Sequence, residues 1–273
     1  MTRKKKKTKK VKVSKEFNKY FYYEESVQSP KTDVKFFSKT YESIRGKKPL
    51  VLREDFCGTH LICCEWVKQS DKHIAHGVDL DPEPIEYGVQ NHEVKLKQNQ
   101  LDRLYIHTMS VMDKNLPSAD IAVAPNFSYF LFKERSDLKE YFTNAHKALN
   151  PNGIFIVDCF GGIHCMEPNE EEIVGKDYSY FWDQDSFNPV TNEAMFYIHF
   201  KRKGEKKREK VFTYDWRMWG IAELKDIFKE AGFSKVTVYW ELDDKKGEGS
   251  GIFKPTTKGD DADAWIAYLV AEK

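Results

Sequence analysis

Short apolar runs alternate with longer amphipathic segments through most of this chain, from about residue 49 to residue 273. Short apolar runs are typical of strands buried on both faces, whereas apolar residues at i, i+3, i+4 and i+7 indicate helices. The alternation predicts an α/β fold in which helices cover both faces of a mostly parallel sheet. The predicted strands are 50–54, 74–79, 104–108, 120–125, 154–159, 236–241 and 265–271.

The stretch from about 160 to 217 does not fit this alternation. Two segments within it, 194–201 and 211–217, alternate in the manner of strands and are separated by a charged turn that contains Gly204. We expect an antiparallel β arm, inserted into the domain and lying over the carboxyl edge of the sheet. The alternation places Phe212, Tyr214 and Trp216 on one face, and Phe196, Ile198 and Phe200 on another.

The charge of the chain is concentrated at one end. Residues 1 to 15 contain nine Lys and Arg and no carboxylate, although the net charge of all 273 residues is only +1. Like charges without apolar residues favour disorder, so we predict a disordered basic tail over 1–16. The balanced total excludes a general attraction to polyanions, while the tail leaves nucleic acid open as a partner.

Composition also bears on the compartment. No apolar run approaches the roughly 20 residues that cross a bilayer, and no apolar segment of a secretory signal follows the N-terminal cations. The five cysteines are odd in number and lack CxxC spacing, which argues against a disulfide framework and a zinc site. We therefore expect a cytoplasmic protein with no membrane contact. Nothing in the sequence indicates its oligomeric state.

The loops that follow the first two predicted strands are the candidate ligand site, because open α/β sheets bind ligands beyond the carboxyl ends of their strands. Gly58 follows the first strand and would let the backbone approach a ligand closely. Asp79 ends the second strand, where a carboxylate can accept both hydroxyls of a ribose. The chain has neither GxGxxG nor GxxxxGK[ST], which argues against dinucleotide and P-loop phosphate binding.

Six sequence blocks together resemble the class I S-adenosylmethionine-dependent methyltransferases. They are VLREDFCGT, GVDLDPEPIEYG, ADIAVAPNFSYF, LNPNGIFIVD, ELKDIFKEAGF and WIAYLVAEK, and the resemblance covers about 49–159 and 218–273. EESVQSPKTDVKFF and FTYDWRMW are similar to a bacterial subgroup of these enzymes. The resemblance implies a seven-stranded Rossmann-like sheet with an antiparallel seventh strand, a methyltransferase domain over 49–273, and S-adenosyl-L-methionine as cofactor.

The resemblance also assigns cofactor contacts at matching positions. Glu54 corresponds to the acid of the first motif, residues 57–59 to its CGT core, and Asp79 to the ribose-binding acid. Departures occur at Phe56 and His60, which replace the first and last glycines of this motif, and at Ser110, where an acid is common. The cofactor contacts implied within the domain are Glu54, Phe56, Cys57, Gly58, Thr59, Asp79, Leu80, Met112, Asp113, Asn126 and Phe127.

An aromatic-rich segment, 17–48, precedes the domain and is interrupted by Ser29-Pro30. We predict two helices that form a lid over the cofactor. Tyr23, Gln28 and Arg53 are the residues expected to reach the methionine carboxylate.

Methyl transfer is an in-line displacement that needs no metal, and it needs a base only when the acceptor loses a proton on attack. The candidate bases are His199, Tyr214 and Asp215. His199 is more readily read as a solvated or packed strand residue, and Asp215 and Arg217 could equally form a local ion pair on the hairpin. The arm's rings would either wall an acceptor pocket or form the arm's own core. The expected acceptor contacts are Tyr129, Tyr180, Trp182, Trp216 and Arg217.

Three functions are consistent with these features. The first is a methyltransferase acting on a small molecule, which the compact arm favours. The second is an RNA or protein methyltransferase that uses the basic tail and the run 201–210. The third is a non-catalytic S-adenosylmethionine-binding protein, since two motif glycines are missing.

Overall fold

The computed structural model describes residues 16–244 and 249–273, so the predicted basic tail lies almost wholly outside the described residues. The helices are α1 (Lys19–Val27), α2 (Pro30–Arg45), α3 (Leu61–Val67), α4 (Pro82–Asn91), α5 (Gln98–Leu101), α6 (Arg135–Ala148) and α7 (Ile221–Glu230). The strands are β1 (Val51–Asp55), β2 (Ile74–Asp79), β3 (Leu104–Thr108), β4 (Ala119–Ala124), β5 (Leu149–Gly161), β6 (Asn169–Val174), β7 (Tyr178–Asn188), β8 (Glu193–Arg202), β9 (Arg208–Arg217), β10 (Lys235–Asp243), β11 (Gly249–Thr256) and β12 (Trp265–Glu272).

The central sheet has eight strands in the order β11-β10-β12-β5-β4-β1-β2-β3. Strands β1 to β5 run parallel, and β12 is antiparallel to both β5 and β10. This confirms the predicted α/β fold with an antiparallel final strand. The sheet has one strand more than predicted because β11 extends the edge beyond β10.

Helices cover both faces of this sheet, because neighbouring residues of its strands point to opposite sides. On one face, α2 and α3 pack on Ile154 and Ile156 of β5. On the other face, α6 and α7 pack on Phe155 and Val157. Among the described residues, no helix has both the length and the apolar character needed to cross a membrane.

The N-terminal helices differ in what they contact. Asn18 caps α1 by accepting hydrogen bonds from the next turn, and Pro30 opens α2 at the position where its missing N–H costs nothing. Helix α2 packs on the central sheet, whereas α1 lies against the arm, where the Tyr22 ring is 4.8 Å from the Tyr178 ring. Helix α1 therefore bridges the domain and the arm.

The arm is a four-stranded antiparallel sheet in the order β6-β7-β8-β9. Its inner face, which packs on the domain, carries both sets of apolar residues from β8 and β9, because Phe196 pairs with Tyr214 and Ile198 with Phe212 across the strands. The prediction that these two sets lie on different faces is therefore wrong. Directly opposed residues of neighbouring strands always share a face.

Candidate functional site

The loops after β1 and β2 are joined directly at the carboxyl edge of the sheet. Asp79 Oδ2 accepts a hydrogen bond of 2.7 Å from the Gly58 backbone N–H, and its Oδ1 accepts one of 2.9 Å from Asp81. The Cys57 N–H also donates to the Val78 carbonyl, at 3.0 Å. One carboxylate thus fixes the glycine-bearing loop against the acidic strand end.

The β1 loop (residues 56–60) has left-handed backbone at alternate residues. The φ angles of Phe56, Gly58 and His60 are 58°, 51° and 44°. Left-handed backbone costs residues with a side chain about 1 kcal/mol or more. Phe56 and His60 therefore adopt a conformation that suits glycine, although neither of them is a glycine.

Packing holds both of these residues in place. The Phe56 ring lies 5.6 Å from the Tyr141 ring. His60 is fully buried against Gly88 of α4, where an added Cβ would lie 2.2 Å from the imidazole. The His60 Nε2 atom is 3.2 Å from the Glu93 carboxylate, and burial lowers the pKa of His60 to about 4.

The upper side of the β1 loop is open. A Cβ added at Gly58 would meet no heavy atom within 4 Å. Leu80, which follows Asp79, is 65% exposed, an unusual environment for a leucine beside buried strands. The strand tips therefore offer a polar anchor and an apolar surface side by side.

Glu54 lies below this surface and is buried. Its carboxylate accepts a 3.1 Å hydrogen bond from the Cys63 N–H in the first turn of α3. Burial raises the pKa of the Glu54 carboxyl to about 8. Its contact in the structure is with the start of α3, where a carboxylate also complements the helix dipole.

The burial of Glu54 predicts a specific pH dependence of stability. Between pH 6.5 and 8 the unfolded chain has already lost the Glu54 proton, whereas the folded chain still holds it, so stability falls as pH rises. We expect Glu54→Gln to reduce this loss by up to about 2 kcal/mol, because each pH unit corresponds to about 1.4 kcal/mol per proton. Urea unfolding of the cofactor-free protein at both pH values measures it.

Glu42→Gln is the matched control, because Glu42 is exposed on α2. It should leave the pH slope of the wild-type protein unchanged. A slope in Glu54→Gln as steep as that of the wild type would contradict the assignment. Histidines whose pKa burial lowers, such as His60, also affect the slope near pH 6.5, but they do so equally in the wild type and in both variants, so they cancel in the comparison.

The loop after β4 is the third loop at the carboxyl edge of the sheet. Asn126 and Phe127 both have left-handed backbone, with φ of 59°, and their N–H groups donate to Asp158 of β5 at 2.7 and 2.8 Å. Burial raises the pKa of Asp158 to about 7. Asp158 was not predicted as a site residue, although it ends the apolar run of LNPNGIFIVD.

Met112 and Asp113 form a half-buried turn after β3. Ser110 Oγ accepts from the Met112 N–H at 3.1 Å, and Asp113 accepts from the Asn115 N–H at 2.7 Å. The Ser110 hydroxyl therefore stabilises this turn through its hydrogen bond to the Met112 N–H.

Three predicted cofactor or acceptor contacts need correction, because their side chains lie in the interior. Arg53 is fully buried and pairs with Asp55 at 2.7 Å. Tyr129, also fully buried, donates to the Asp158 carbonyl at 2.8 Å. The Cys57 side chain packs under β2, where a Cβ at Gly77 would lie 2.8 Å from its sulfur, and burial raises the pKa of the thiol.

Arg217, predicted as an acceptor contact, instead binds residues of the domain. Its guanidinium donates to the Lys133 carbonyl at 2.9 Å and to Glu223 at 3.2 Å, and it lies 3.9 Å over the Trp219 ring. These contacts tie the end of β9 to α7. Its role in the structure is therefore to fasten the arm to the domain.

Two of the three candidate bases, His199 and Asp215, lie on the face of the arm opposite to Tyr214. His199 is bonded through both ring nitrogens, accepting from the Lys210 N–H at 2.7 Å and donating to Asp183 at 3.0 Å. Asp215 forms an ion pair with Lys133 at 2.6 Å. These contacts disfavour both side chains as bases, and the ion pair of Asp215 is with Lys133 rather than Arg217.

Tyr214 is on the inner face and contacts Tyr23 of α1. Burial raises the pKa of Tyr214 well above its usual value, so the phenol stays protonated at neutral pH and acts as a hydrogen-bond donor rather than a base.

Rings of the arm meet the β4 loop at one point. The Trp216 ring is 6.4 Å from the Phe127 ring and 4.5 Å from the Tyr214 ring. Trp182 is 6.1 Å from Tyr214, and Tyr180 is half-buried on the same face. The inner face thus forms an aromatic wall that begins at the β4 loop and ends at α1.

Within the described residues, one cluster has the composition of a metal site, namely Glu170, Asp183 and His199. It lies on the outer face of the arm, and Lys207 already pairs with Glu170. Since His199 uses both ring nitrogens, a neutral imidazole there has no lone pair left for a metal.

Helix α1 supplies a residue that sequence reasoning missed. Glu24 Oε1 accepts a 2.5 Å hydrogen bond from Thr59 Oγ1 in the β1 loop and lies 2.6 Å from His92 Nε2. Gln28, which was predicted, caps the end of α1 and has a buried side-chain oxygen without a hydrogen-bond partner among the described residues. No motif in EESVQSP distinguishes Glu24 from its neighbours.

Known proteins resemble this chain in fold but not in sequence. No family model matches it, and a search of curated proteins also finds no match. An S-adenosylmethionine-dependent methyltransferase from Clostridium acetobutylicum superposes with a TM-score of 0.67 at 14% identity, covering 93% of this chain and 96% of that one. CalS10, an amino pentose methyltransferase from Micromonospora echinaspora, gives 0.65 at 11% identity, covering 95% and 98%.

The sugar N-methyltransferase KedS8 from a Streptoalloteichus species gives a TM-score of 0.62 at 13% identity, covering 97% of this chain and 96% of that one. The coverage shows that the likeness extends over the arm and the N-terminal helices. The chain therefore has the class I methyltransferase fold over nearly its whole length.

Proposed function

We propose that this protein is an S-adenosylmethionine-dependent methyltransferase whose cofactor binds across the tips of β1, β2 and β4. The observation that carries the proposal is the direct bond between Asp79 and the N–H of Gly58, beside an open surface. This is the arrangement that a nucleoside needs, with an acceptor for ribose hydroxyls and a close backbone. The retained left-handed backbone of the β1 loop supports it despite the missing glycines.

Each end of the cofactor has residues suited to it. Asp79 would accept the ribose hydroxyls, and the exposed Leu80 side chain would cover the adenine together with Met112 and Asp113. At the methionine end, the residues would be Gln28 with its unpartnered oxygen, Tyr23, Asn126 and Phe127. The cofactor would supply an activated methyl group, so the protein's task is to orient the acceptor and exclude water.

The acceptor is proposed to be a small molecule bound between the β4 loop and the aromatic wall of the arm. The half-buried rings of Tyr180 and Trp182 offer apolar contact and attract a cationic amine by about 0.5 to 2 kcal/mol per ring, whereas Trp216 is 5% exposed and supports them from the core. The protonated phenol of Tyr214 can donate to the acceptor. The sugar and amino sugar methyltransferases named above, which share the fold, support this class of acceptor.

An RNA acceptor has less support in the structure than in the sequence. Three of the seven cations in the basic run 201–210 are paired, since Arg202 and Arg208 bond to Glu205, and Lys207 to Glu170. Paired cations release few counterions on binding a phosphate backbone. The tail lies outside the described residues, and its contribution remains a prediction.

Calorimetric titration of the wild-type protein with S-adenosylhomocysteine tests the proposal, with ATP as a control nucleotide. We expect one site with a dissociation constant in the micromolar range, about −8 kcal/mol, and no binding of ATP. Absence of binding at millimolar S-adenosylhomocysteine, with the protein folded, would contradict it. Incubation with methyl-labelled S-adenosylmethionine and a cell extract then shows whether label enters small molecules, as proposed, or RNA and protein.

A further inference from the structure

Glu24 joins three separate parts of the chain through one carboxylate oxygen. It lies on α1, accepts from Thr59 of the β1 loop at 2.5 Å, and lies 2.6 Å from the His92 imidazole at the end of α4. The side chains of Glu24 and His92 are only 10% and 7% exposed, and Thr59 is 5% exposed. A hydrogen bond to a carboxylate that is largely shielded from water is stronger than one at the surface.

The β1 loop has a particular need for such a contact. Phe56 and His60 hold left-handed backbone that favours glycine, so the loop stays in this shape only while its surroundings enforce it. From below, α4 enforces it, because Gly88 allows the Thr59 carbonyl and the His60 ring to approach closely. From the side, the contact comes from Glu24, which is bonded to the residue next to His60.

Residues on either side of Glu24 hold the same turns of helix α1 against the arm. Ser26 Oγ lies 3.1 Å from the Tyr178 hydroxyl, and the Tyr23 ring is 5.0 Å from the Phe212 ring. The same helix therefore contacts both the acceptor wall and the β1 loop. A displacement of α1 away from the β1 loop would break the hydrogen bond between Glu24 and Thr59.

We propose that Glu24 is a positioning residue that couples the seating of α1 to the shape of the β1 loop, so that cofactor affinity depends on whether α1 is closed. This inference rests on the proposed function. Glu24 acts through Thr59 and helps to hold a left-handed backbone that glycine would adopt without steric cost. An acceptor that contacts α1 and the aromatic wall together would then tighten cofactor binding.

Hydrogen exchange of the backbone amides at 58–64 and S-adenosylhomocysteine affinity test the coupling together. We expect Glu24→Leu to speed exchange of these amides about tenfold in the cofactor-free protein and to weaken binding about tenfold, because it removes a hydrogen bond to a charged group. Thr59→Val should have the same two effects, whereas Thr59→Ser, which keeps the hydroxyl, should retain wild-type exchange and affinity. The double variant Glu24→Leu/Thr59→Val should bind S-adenosylhomocysteine no more weakly than Glu24→Leu alone.

Glu25→Leu is the matched control, since Glu25 is the exposed neighbour on the same helix. It should alter neither quantity. Unchanged exchange and affinity in Glu24→Leu, or additive losses in the double variant, would overturn the coupling while leaving the proposed function intact. Wild-type protein that binds no S-adenosylhomocysteine would instead overturn the proposed function itself.

Discussion

Replacing Asp79 by alanine should weaken S-adenosylhomocysteine binding by roughly 1.5 to 3 kcal/mol, or about 10- to 150-fold, through the loss of charge-assisted hydrogen bonds. The carboxylate has two tasks, since it would hold the ribose and it already holds the N–H groups of Gly58 and Asp81. Asp79→Asn, which keeps one acceptor oxygen, should lose less. Isothermal titration calorimetry of each variant measures the change.

Asp120→Ala is the control for the structural part of this effect. Asp120 also accepts two backbone N–H bonds, from Leu50 at 2.8 Å and Val51 at 3.0 Å, but at the opposite edge of the sheet. It should lower the free energy of unfolding and leave the dissociation constant unchanged. Equal affinity in Asp79→Ala and the wild type would show that the strand tip is not the nucleoside site.

Gly58→Val should abolish detectable binding. A branched side chain would occupy the open space in which the cofactor is proposed to lie, and the left-handed φ of 51° disfavours it further. The strain alone costs about 1 to 2 kcal/mol of stability, so unfolding must be measured beside affinity.

Gly46→Val separates strain from obstruction. Gly46 ends α2 with a φ of 66°, and a Cβ added there also meets no heavy atom within 4 Å. It should lose comparable stability and bind S-adenosylhomocysteine normally. If Gly58→Val loses stability like Gly46→Val but binds normally, the cofactor does not approach this loop.

The parallel strands could be predicted because burial on both faces leaves a mark in the sequence itself. Residues 74–79 and 104–108 are strands with the predicted bounds. Strand β11 could not be predicted, because its GSGIFKPT sequence has neither a continuous apolar run nor clear alternation. Its proline is tolerated because β11 lies at the edge of the sheet.

The candidate site divides in the same way. Asp79 and Gly58 were identified because position at a strand end is a property of one segment and its neighbour. Whether His199 or Tyr214 faces the domain depends on the pairing of β8 with β9, and a period of two within each strand does not fix that pairing. Glu24 depends on the docking of α1, 35 residues before Thr59, and has no local signal at all.

The left-handed angles of Phe56 and His60 show a further limit of motif reading. The absence of two glycines indicates at first that the loop has lost its shape. Ring packing and the contact with α4 hold both residues in this conformation, so a motif with fewer glycines does not by itself mean that the loop has another conformation.

A crystal structure of the complex with S-adenosylhomocysteine tests the central claim most directly. We expect both ribose hydroxyls to bind the Asp79 carboxylate and the adenine to pack against Leu80. The sulfur should point towards Phe127 and the aromatic wall. A nucleoside bound at any other place, or strand tips closed by the protein's own side chains, would contradict it.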